Sequence, residues 1–265
     1  MTATTVPVVE AVVAGVRAAG ALDVVSLSVP DGPGWRRARP GQFVVVPADP
    51  AGGRVLPEVL WLAGVRADPV HGTTFELLLP VSRATAPGEV VRVLGPLGRG
   101  FAAPADAVPV LLVGHETGAV PLRWLLEVLR ERGCVVHVLL SASDPELHLD
   151  LVHLRRHART VVLTLPEDLP EALRRVLADP AVDPAVVYAA APVPVLRRVV
   201  GVAWAAGLPV RVCALDLEGD GPVCGTGLCG ACDLDVVDGG VRRVFRPCLE
   251  GPVAPGEWLV EDAPA

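Results

Sequence analysis

Near its C-terminal end the chain reads Cys224-Gly225-Thr226-Gly227-Leu228-Cys229-Gly230-Ala231-Cys232. The three cysteines have the spacing C-x4-C-x2-C, and a fourth, Cys248, follows further along. Plant-type [2Fe–2S] sites use this spacing, with a distant fourth cysteine. The glycines between the ligands supply positive φ angles and let backbone N–H groups approach the cluster sulfurs. The motif therefore predicts a [2Fe–2S] cluster bound by Cys224, Cys229, Cys232 and Cys248.

Two other interpretations of these four cysteines stay open. Four thiolates also bind zinc, although zinc modules usually place their ligands in two C-x2-C pairs and the second pair is absent here. Disulfides are the third possibility, and a reducing cytosol disfavours them. The remaining two cysteines, Cys134 and Cys213, lie at the edges of apolar strands, and we expect both to be buried structural thiols.

The overall composition is that of a folded globular protein. Of the 265 residues, 51% are hydrophobic and 20% are charged. The formal net charge of -7 argues against a general nucleic-acid-binding protein, which normally has a basic surface. The sequence shows neither the apolar core of a signal peptide nor an uncharged apolar stretch long enough to span a membrane. We therefore expect a soluble cytoplasmic protein.

Residues 1–103 contain short runs of Val and Leu separated by Pro and Gly, a pattern typical of closely spaced strands. Six such strands predict a small antiparallel β-barrel. The predicted strands are Val8–Val13, Leu22–Val29, Gln42–Pro47, Val59–Leu62, Phe75–Pro80 and Val90–Leu94.

From 104 to 212, predicted strands alternate with predicted helices, which indicates a nucleotide-binding-like α/β domain with a parallel sheet covered on both faces. The predicted helices are Val120–Arg132, Pro145–His157, Pro170–Ala178 and Val193–Ala206. Residues 213–265 are rich in Gly and Cys and are predicted to form a small [2Fe–2S] domain. Within it, a hairpin turning at Asp238-Gly239-Gly240 would carry Cys248 back towards the other three cysteines. The fold class is thus multi-domain α+β.

Four further segments, together with the cysteine loop, resemble the electron-transfer subunits of type B dihydroorotate dehydrogenase, within the ferredoxin reductase superfamily. The resemblance covers nearly the whole chain. The segments are Pro40-Gly41-Gln42-Phe43-Val44, Gly95-Pro96-Leu97-Gly98-Arg99-Gly100-Phe101, Gly118-Ala119-Val120-Pro121-Leu122 and Pro247-Cys248-Leu249-Glu250-Gly251-Pro252-Val253.

The resemblance implies an FAD in the barrel, electron exchange with NAD, and a flavin-containing catalytic subunit as partner in a hetero-oligomer. The candidate flavin contacts that it implies are Pro57, Arg83, Gly95, Gly98, Gly114 and Gly118. No residue of this chain is predicted to be catalytic, because no nucleophile with an adjacent base and no carboxylate pair is recognisable.

The sequence departs from the family at its cofactor motifs. The flavin motif R-P-x-S reads Leu56-Pro57-Glu58-Val59 here, and Arg83 is the candidate for the missing cation. The family's run of three glycines reads Gly114-His115-Glu116-Thr117-Gly118, and Glu116 is expected to satisfy the helix amides that would otherwise bind an anion. The two nicotinamide segments read Ala190-Ala191-Pro192 and Thr164-Leu165-Pro166-Glu167-Asp168.

Three functions remain open at this point. The first is a redox subunit that holds FAD and the cluster. The second is a cluster-bearing derivative that has lost FAD and NAD binding and acts as an electron conduit or docking module. The third is a non-redox scaffold in which the metal is structural.

Overall fold

The first six strands close into an antiparallel barrel, which confirms the architecture predicted for the N-terminal part. The computed structural model describes residues 8–68, 70, 72–83, 85–217 and 224–260; the outer ends of the first and third predicted domains lie outside these ranges. The barrel strands are β1 (Val8–Ala19), β2 (Leu22–Val29), β3 (Phe43–Val46), β4 (Glu58–Asp68), β5 (Gly72–Pro80) and β6 (Val90–Leu97). Around the barrel they follow the order β1-β2-β5-β4-β3-β6.

The barrel core forms because alternate side chains of each strand point inward. Leu27 on β2 pairs in register with Phe75 on β5, and both are buried. The Trp35 ring stacks on the Phe75 ring, with 4.6 Å between the ring centroids. Trp35 lies in the short helix α1 (Pro33–Arg36), which therefore closes one end of the apolar interior.

The central part contains a six-stranded sheet. Its strands are β7 (Val110–His115), β8 (Val136–Ser141), β9 (Thr160–Thr164), β10 (Val186–Ala190), β11 (Val210–Cys213) and β14 (Val253–Pro255). Their spatial order is β14-β11-β10-β7-β8-β9, and the first five of these strands in the sequence run parallel. The side chains of β7 are buried up to Gly114, as expected for a strand covered on both faces.

Strand β14 is antiparallel to β11 and joins the sheet from the C-terminal part of the chain. Residues 253–255 fall within the predicted C-terminal domain, and their sequence pattern predicts no strand there. Before β14 come the hairpin strands β12 (Leu234–Asp238) and β13 (Val241–Phe245), which pair as predicted. The boundaries of the three predicted domains stay a prediction.

Among the described residues, five α-helices follow α1, and the longest ones cover the sheet. They are α2 (Val120–Glu131), α3 (Leu151–His157), α4 (Leu169–Ala178), α5 (Val193–Ala205) and α6 (Pro247–Glu250). In α2 the leucines at 122, 125, 126 and 129 form an apolar stripe at helical spacing. This stripe belongs to a buried cluster that also contains barrel residues such as Trp61, so one apolar core extends from the barrel to the sheet.

The helix predicted over Pro145–His157 is wrong in its first half. A 3₁₀ turn covers Pro145–Leu147, His148 is extended, and α3 begins only after Asp150. The Asp150 carboxylate accepts a hydrogen bond from the His153 N–H at 3.4 Å and caps the helix there. Among the helices that the structure describes, none has both the length and the apolar character needed to cross a membrane.

A buried ion-pair network ties the barrel to the helices. The Arg123 guanidinium, on α2, donates to the Glu76 carboxylate on β5 at 2.7 Å and to the Ala63 carbonyl on β4 at 2.9 Å. It also donates to the Asp150 carboxylate at 3.0 Å, and Arg17 on β1 donates to the same oxygen at 2.9 Å. Burial alone would raise the pKa of Asp150, but these two guanidinium groups outweigh it and lower that pKa.

We expect Arg123→Met to reduce the free energy of unfolding by about 3–5 kcal/mol, because it leaves the buried Asp150 carboxylate with one cation fewer. Denaturation by urea, followed by circular dichroism, measures the change. Arg174→Gln is the control, because Arg174 pairs only with the exposed Glu171 and the substitution should have little effect. Equal stabilities of the two variants would contradict the role given to Arg123.

Candidate metal centre

The four cysteines of the predicted cluster motif form two contact pairs. The Sγ atoms of Cys224 and Cys229 are 3.3 Å apart, and those of Cys232 and Cys248 are 3.2 Å apart. All four thiols are free. Within the residues that the structure describes, no three His, Cys, Asp or Glu side chains converge as a single metal ion would require. The arrangement is therefore two sulfur pairs rather than one four-sulfur centre.

Backbone N–H groups of the loop point at the first sulfur pair. The N–H groups of Thr226, Leu228 and Cys229 donate to the Cys224 sulfur over 3.4, 3.3 and 3.4 Å. Burial disfavours the thiolate, but these hydrogen bonds outweigh it and lower the pKa of Cys224 to about 6. The loop is thus built to stabilise negative charge on this sulfur.

The second pair lies deeper. Burial, followed by the contact with the Cys232 thiol, raises the pKa of Cys248 to about 12. The charge of a Cys224 thiolate also raises this pKa, so the two pairs are close enough to interact electrostatically. Because thiols lose their protons when they ligate a metal, a cation at this pair would replace two protons.

Two glycines of the loop are required by space as well as by backbone angle. Gly225 has a φ of +61°, and a Cβ atom there would lie 2.5 Å from Val45 Cγ2 and 3.1 Å from Phe43 Cε2. Gly227 has a φ of +79°, and a Cβ atom there would overlap the Leu249 side chain. The positive φ angles agree with the sequence analysis. The neighbours that crowd these positions, two barrel residues and Leu249, were not foreseen, because the motifs do not indicate which segments pack against one another.

The candidate flavin cation, Arg83, is already paired. Its Nη1 donates to the Glu58 carboxylate at 2.5 Å. Pro57 is half-buried beside Glu58. Glu58 also lines a cavity of about 240 Å³ between barrel and sheet, together with Trp61 and Gly118. The structure thus brings the Arg83 and Pro57 positions near one cavity, but it places a carboxylate at the cavity wall.

The junction glycines Gly95 and Gly98 are packed against other parts of the chain. A Cβ atom at Gly95 would lie 2.8 Å from Val44 Cγ1, and one at Gly98 would lie 2.6 Å from Pro252 Cδ. Gly98 therefore allows the C-terminal segment to approach the barrel. This packing is a sufficient reason for both glycines, and their contact with a flavin stays a prediction.

The two glycines of the turn after β7 also have packing roles. A Cβ atom at Gly114 would lie 2.5 Å from the Ala119 Cβ, and one at Gly118 would lie 3.1 Å from the Ala191 Cα. They allow the turn and the start of α2 to sit close to the sheet. As for the junction pair, flavin contact at these positions stays a prediction.

The Glu116 carboxylate binds Ser143 and not the helix amides that it was expected to satisfy. Its carboxylate accepts hydrogen bonds from the N–H of Ser143 at 2.9 Å and from the hydroxyl of Ser143 at 2.6 Å. These bonds lower the pKa of Glu116 although burial opposes them. The expectation that Glu116 caps the amides of its own helix is therefore wrong: with a φ of +44° at Glu116, the side chain bonds the loop that follows β8.

No protein-family model matches the sequence. Among curated proteins, the chain is 33% identical over 226 residues to the dihydroorotate dehydrogenase B (NAD(+)) electron transfer subunit of Geobacillus kaustophilus, covering 81% of this chain and 84% of that protein. The corresponding subunit of Bacillus caldolyticus is 32% identical over 227 residues, with the same coverage. That of Desulforamulus reducens is 29% identical over 179 residues, or 66% of each chain.

Solved structures show the same fold. An NADH-dependent reduced ferredoxin-NADP oxidoreductase superimposes with a TM-score of 0.70 at 21% identity, covering 97% of this chain and 91% of that one. Phthalate dioxygenase reductase, described as transferring electrons from pyridine nucleotides to [2Fe-2S], superimposes with a TM-score of 0.59 at 15% identity, covering 88% and 87%. The fold is therefore ferredoxin reductase-like.

We expect Gly225→Ala to destabilise the protein by about 1–3 kcal/mol more than Gly230→Ala. Both glycines have positive φ angles, but a Cβ atom at Gly230 meets open space whereas one at Gly225 meets the barrel. Thermal unfolding of the two variants, compared with the unsubstituted protein, measures the difference. Equal melting temperatures for the two variants would show that the loop does not rest on the barrel as described.

Proposed function

Because this chain belongs to the family of dihydroorotate dehydrogenase B electron transfer subunits, we propose that it passes electrons to or from a flavin-containing partner through a [2Fe–2S] cluster held by Cys224, Cys229, Cys232 and Cys248. The electron-transfer role is the one that the names of its relatives give. The cluster and its ligands are our assignment.

The pairing of the sulfurs is the observation that carries this assignment. A structural zinc ion needs four ligands around one point, at about 2.3 Å for each sulfur. A [2Fe–2S] cluster takes its four thiolates as two pairs, one pair on each iron. Pairs at 3.3 and 3.2 Å, joined by one short loop and α6, suit the second kind of centre. Bound there, the cluster supplies one-electron transfer.

The chain's own residues shape the properties of this centre. The N–H groups that point at Cys224 stabilise an anionic sulfur, and such hydrogen bonds are one of the means by which proteins set a reduction potential. Phe43 and Val45 of the barrel pack against the loop at Gly225. Leu228, within the loop, is 87% exposed.

The partner that we propose is a flavin-containing catalytic subunit of the dihydroorotate dehydrogenase type, in a hetero-oligomer. Support comes from the names of the relatives, each of which is one subunit of a larger enzyme. Leu228 and Leu249 are exposed apolar side chains next to the cysteines. A partner that covers them would exclude water from the site and bring its own redox group close to the cluster loop.

A second candidate is a subunit that carries the cluster without FAD. Two observations favour it. Arg83 is neutralised by Glu58, and the cavity of about 240 Å³ is smaller than the roughly 300–1,000 Å³ of common ligand pockets. The first candidate retains FAD through backbone contacts that do not depend on these side chains.

Metal and flavin contents separate the candidates. The protein is purified without oxygen, iron and acid-labile sulfide are counted, and the acid supernatant is tested for flavin. Iron, sulfide and stoichiometric flavin support the form with FAD, whereas iron and sulfide without flavin support the second candidate. Zinc without sulfide would refute both.

We expect Cys229→Ser to lose most of the iron, the sulfide and the visible absorbance, because it removes one thiolate of the exposed pair. Cys134→Ser is the matched control: Cys134 is a buried free thiol outside the motif, and the substitution should leave the absorbance intact. Full absorbance in Cys229→Ser would remove this residue from the ligand set.

We also expect Glu58→Gln to tighten FAD binding, because it removes the carboxylate that holds Arg83 and faces the cavity. Titration of flavin-depleted protein with FAD, followed by the change in flavin fluorescence, gives the dissociation constant. A value several-fold lower than in the unsubstituted protein is the expected result. An unchanged value would exclude Arg83 as the flavin's cation.

A further inference from the structure

A large charged cleft lies between the barrel and helices α2 and α3, and it contains neither the motif cysteines nor the flavin candidates. Its volume is about 690 Å³. Apart from one valine, all of its lining side chains are charged or are histidines. The arginines that line it are Arg17, Arg66, Arg123, Arg130 and Arg156.

Three of these arginines, Arg66, Arg130 and Arg156, lie at the rim of the cleft and do not take part in the ion-pair network described above. Asp150 and Glu76 already bind Arg123 and Arg17 at the floor. In the part of the chain that the structure describes, no carboxylate forms an ion pair with the three others, which are exposed. These three come from different elements: Arg66 from β4, Arg130 from α2 and Arg156 from α3.

The two histidines of the cleft are neutral hydrogen-bonding groups. Burial and then the neighbouring arginines lower the pKa of both, to about 4 for His153. Arg130 Nη1 lies 2.6 Å from Nδ1 of His157, and since a guanidinium can only donate, the ring must accept there and carry its proton on Nε2. His157 is therefore a neutral hydrogen-bond donor within the arginine group.

The cleft also contains the carboxyl groups of Glu127 and Glu131. Burial raises the pKa of Glu127, which interacts electrostatically with Arg123 and Arg66 and has its oxygen 3.4 Å from Nε2 of His153. The Nε2 atom of His153 is buried and has no hydrogen-bond partner among the described residues. The cleft thus offers an entering ligand three exposed guanidinium groups that form no ion pair among the described residues, one of which donates to His157, and the free Nε2 atoms of two imidazole rings.

We propose that this cleft binds a small anion that carries two or more linked phosphate groups. Guanidinium groups make strong paired hydrogen bonds to phosphate oxygens. Three of them, on three elements, suit a ligand whose oxygens spread in three dimensions better than a single planar carboxylate. The volume lies within the range of common small-molecule sites, roughly 300–1,000 Å³.

Such a ligand would connect two parts of the fold. Arg66 belongs to the barrel, whereas Arg130 and Arg156 belong to the helices beside the sheet. An anion bound by all three would hold these parts together and would stabilise the folded protein by mass action. The site is independent of the proposed cluster, since it shares no residue with the cysteine loop.

Titration with inorganic pyrophosphate tests the proposal. Calorimetry on the purified holoprotein at low ionic strength should show saturable binding, and the melting temperature should rise with pyrophosphate concentration. The variant Arg66→Gln/Arg156→Gln should bind at least ten-fold more weakly. Arg174→Gln/Arg175→Gln is the matched control, because it removes two exposed arginines from α4 and should bind like the unsubstituted protein.

Three results would overturn the proposal: no saturable binding to the unsubstituted protein, equal affinity in the two double variants, or citrate binding as tightly as pyrophosphate. The last would show that the site does not prefer phosphate. Extraction of iron by pyrophosphate would affect all variants alike and so cannot produce the expected difference between them.

Discussion

The fully buried ring of Phe43 is where the barrel, the cysteine loop and the C-terminal segment meet. A Cβ atom at Gly98 would lie 3.0 Å from the edge of this ring, and one at Gly225 would lie 3.1 Å from it. The ring also contacts the Trp61 ring in an edge-to-face arrangement, with 6.3 Å between the ring centroids. A larger residue at Gly225 would have to displace this ring or Val45, and one at Gly98 would have to displace this ring, Pro252 or the Gly251 carbonyl. Close approach of three separate segments to one aromatic side chain therefore fixes the cysteine loop relative to the barrel.

Packing between separate segments, as around Phe43, is the part of the structure that the sequence does not reveal, whereas local patterns are readily recognised. The cysteine spacing, the alternation in β2 and the turn at Gly239-Gly240 are local signals, because hydrogen bonding and side-chain direction repeat within a few residues. The alternation and the turn predict six barrel strands and the hairpin, but β1 and β4 extend beyond the predicted Val8–Val13 and Val59–Leu62, to Ala19 and Asp68. The cluster indicated by the cysteine spacing stays a prediction. The glycines of the loop were expected to make room for a cluster, but Gly225 makes room for the barrel and Gly227 for Leu249. That information lies in the tertiary packing of the loop against these partners, which no motif reveals.

The two errors in secondary structure, the helix predicted over Pro145–His157 and the missed strand β14, also arise from tertiary contacts. The apolar and charged pattern of Pro145–His157 agrees with one helix, yet capping by Asp144 and Asp150 divides it, and Asp150 is held by Arg17 and Arg123 from other elements. Strand β14 has only three residues and no alternating pattern. It exists because Pro252 accepts a hydrogen bond from Ala214 and places the segment beside β11. Tertiary contacts thus override or create local structure at both places.

The cavity near Glu58 and the cysteine loop share a wall, so the residue that forms this wall affects both. Val59 lines the cavity, and its Cγ2 would lie 3.5 Å from a Cβ atom at Gly225. A planar ring in the cavity would therefore be separated from the loop by one side chain. The departure from the family's flavin motif acts on both features, because Glu58 and Val59 both belong to it. Glu58 brings a carboxylate that binds Arg83 to the cavity, whereas Val59 supplies an apolar side chain against the cysteine loop.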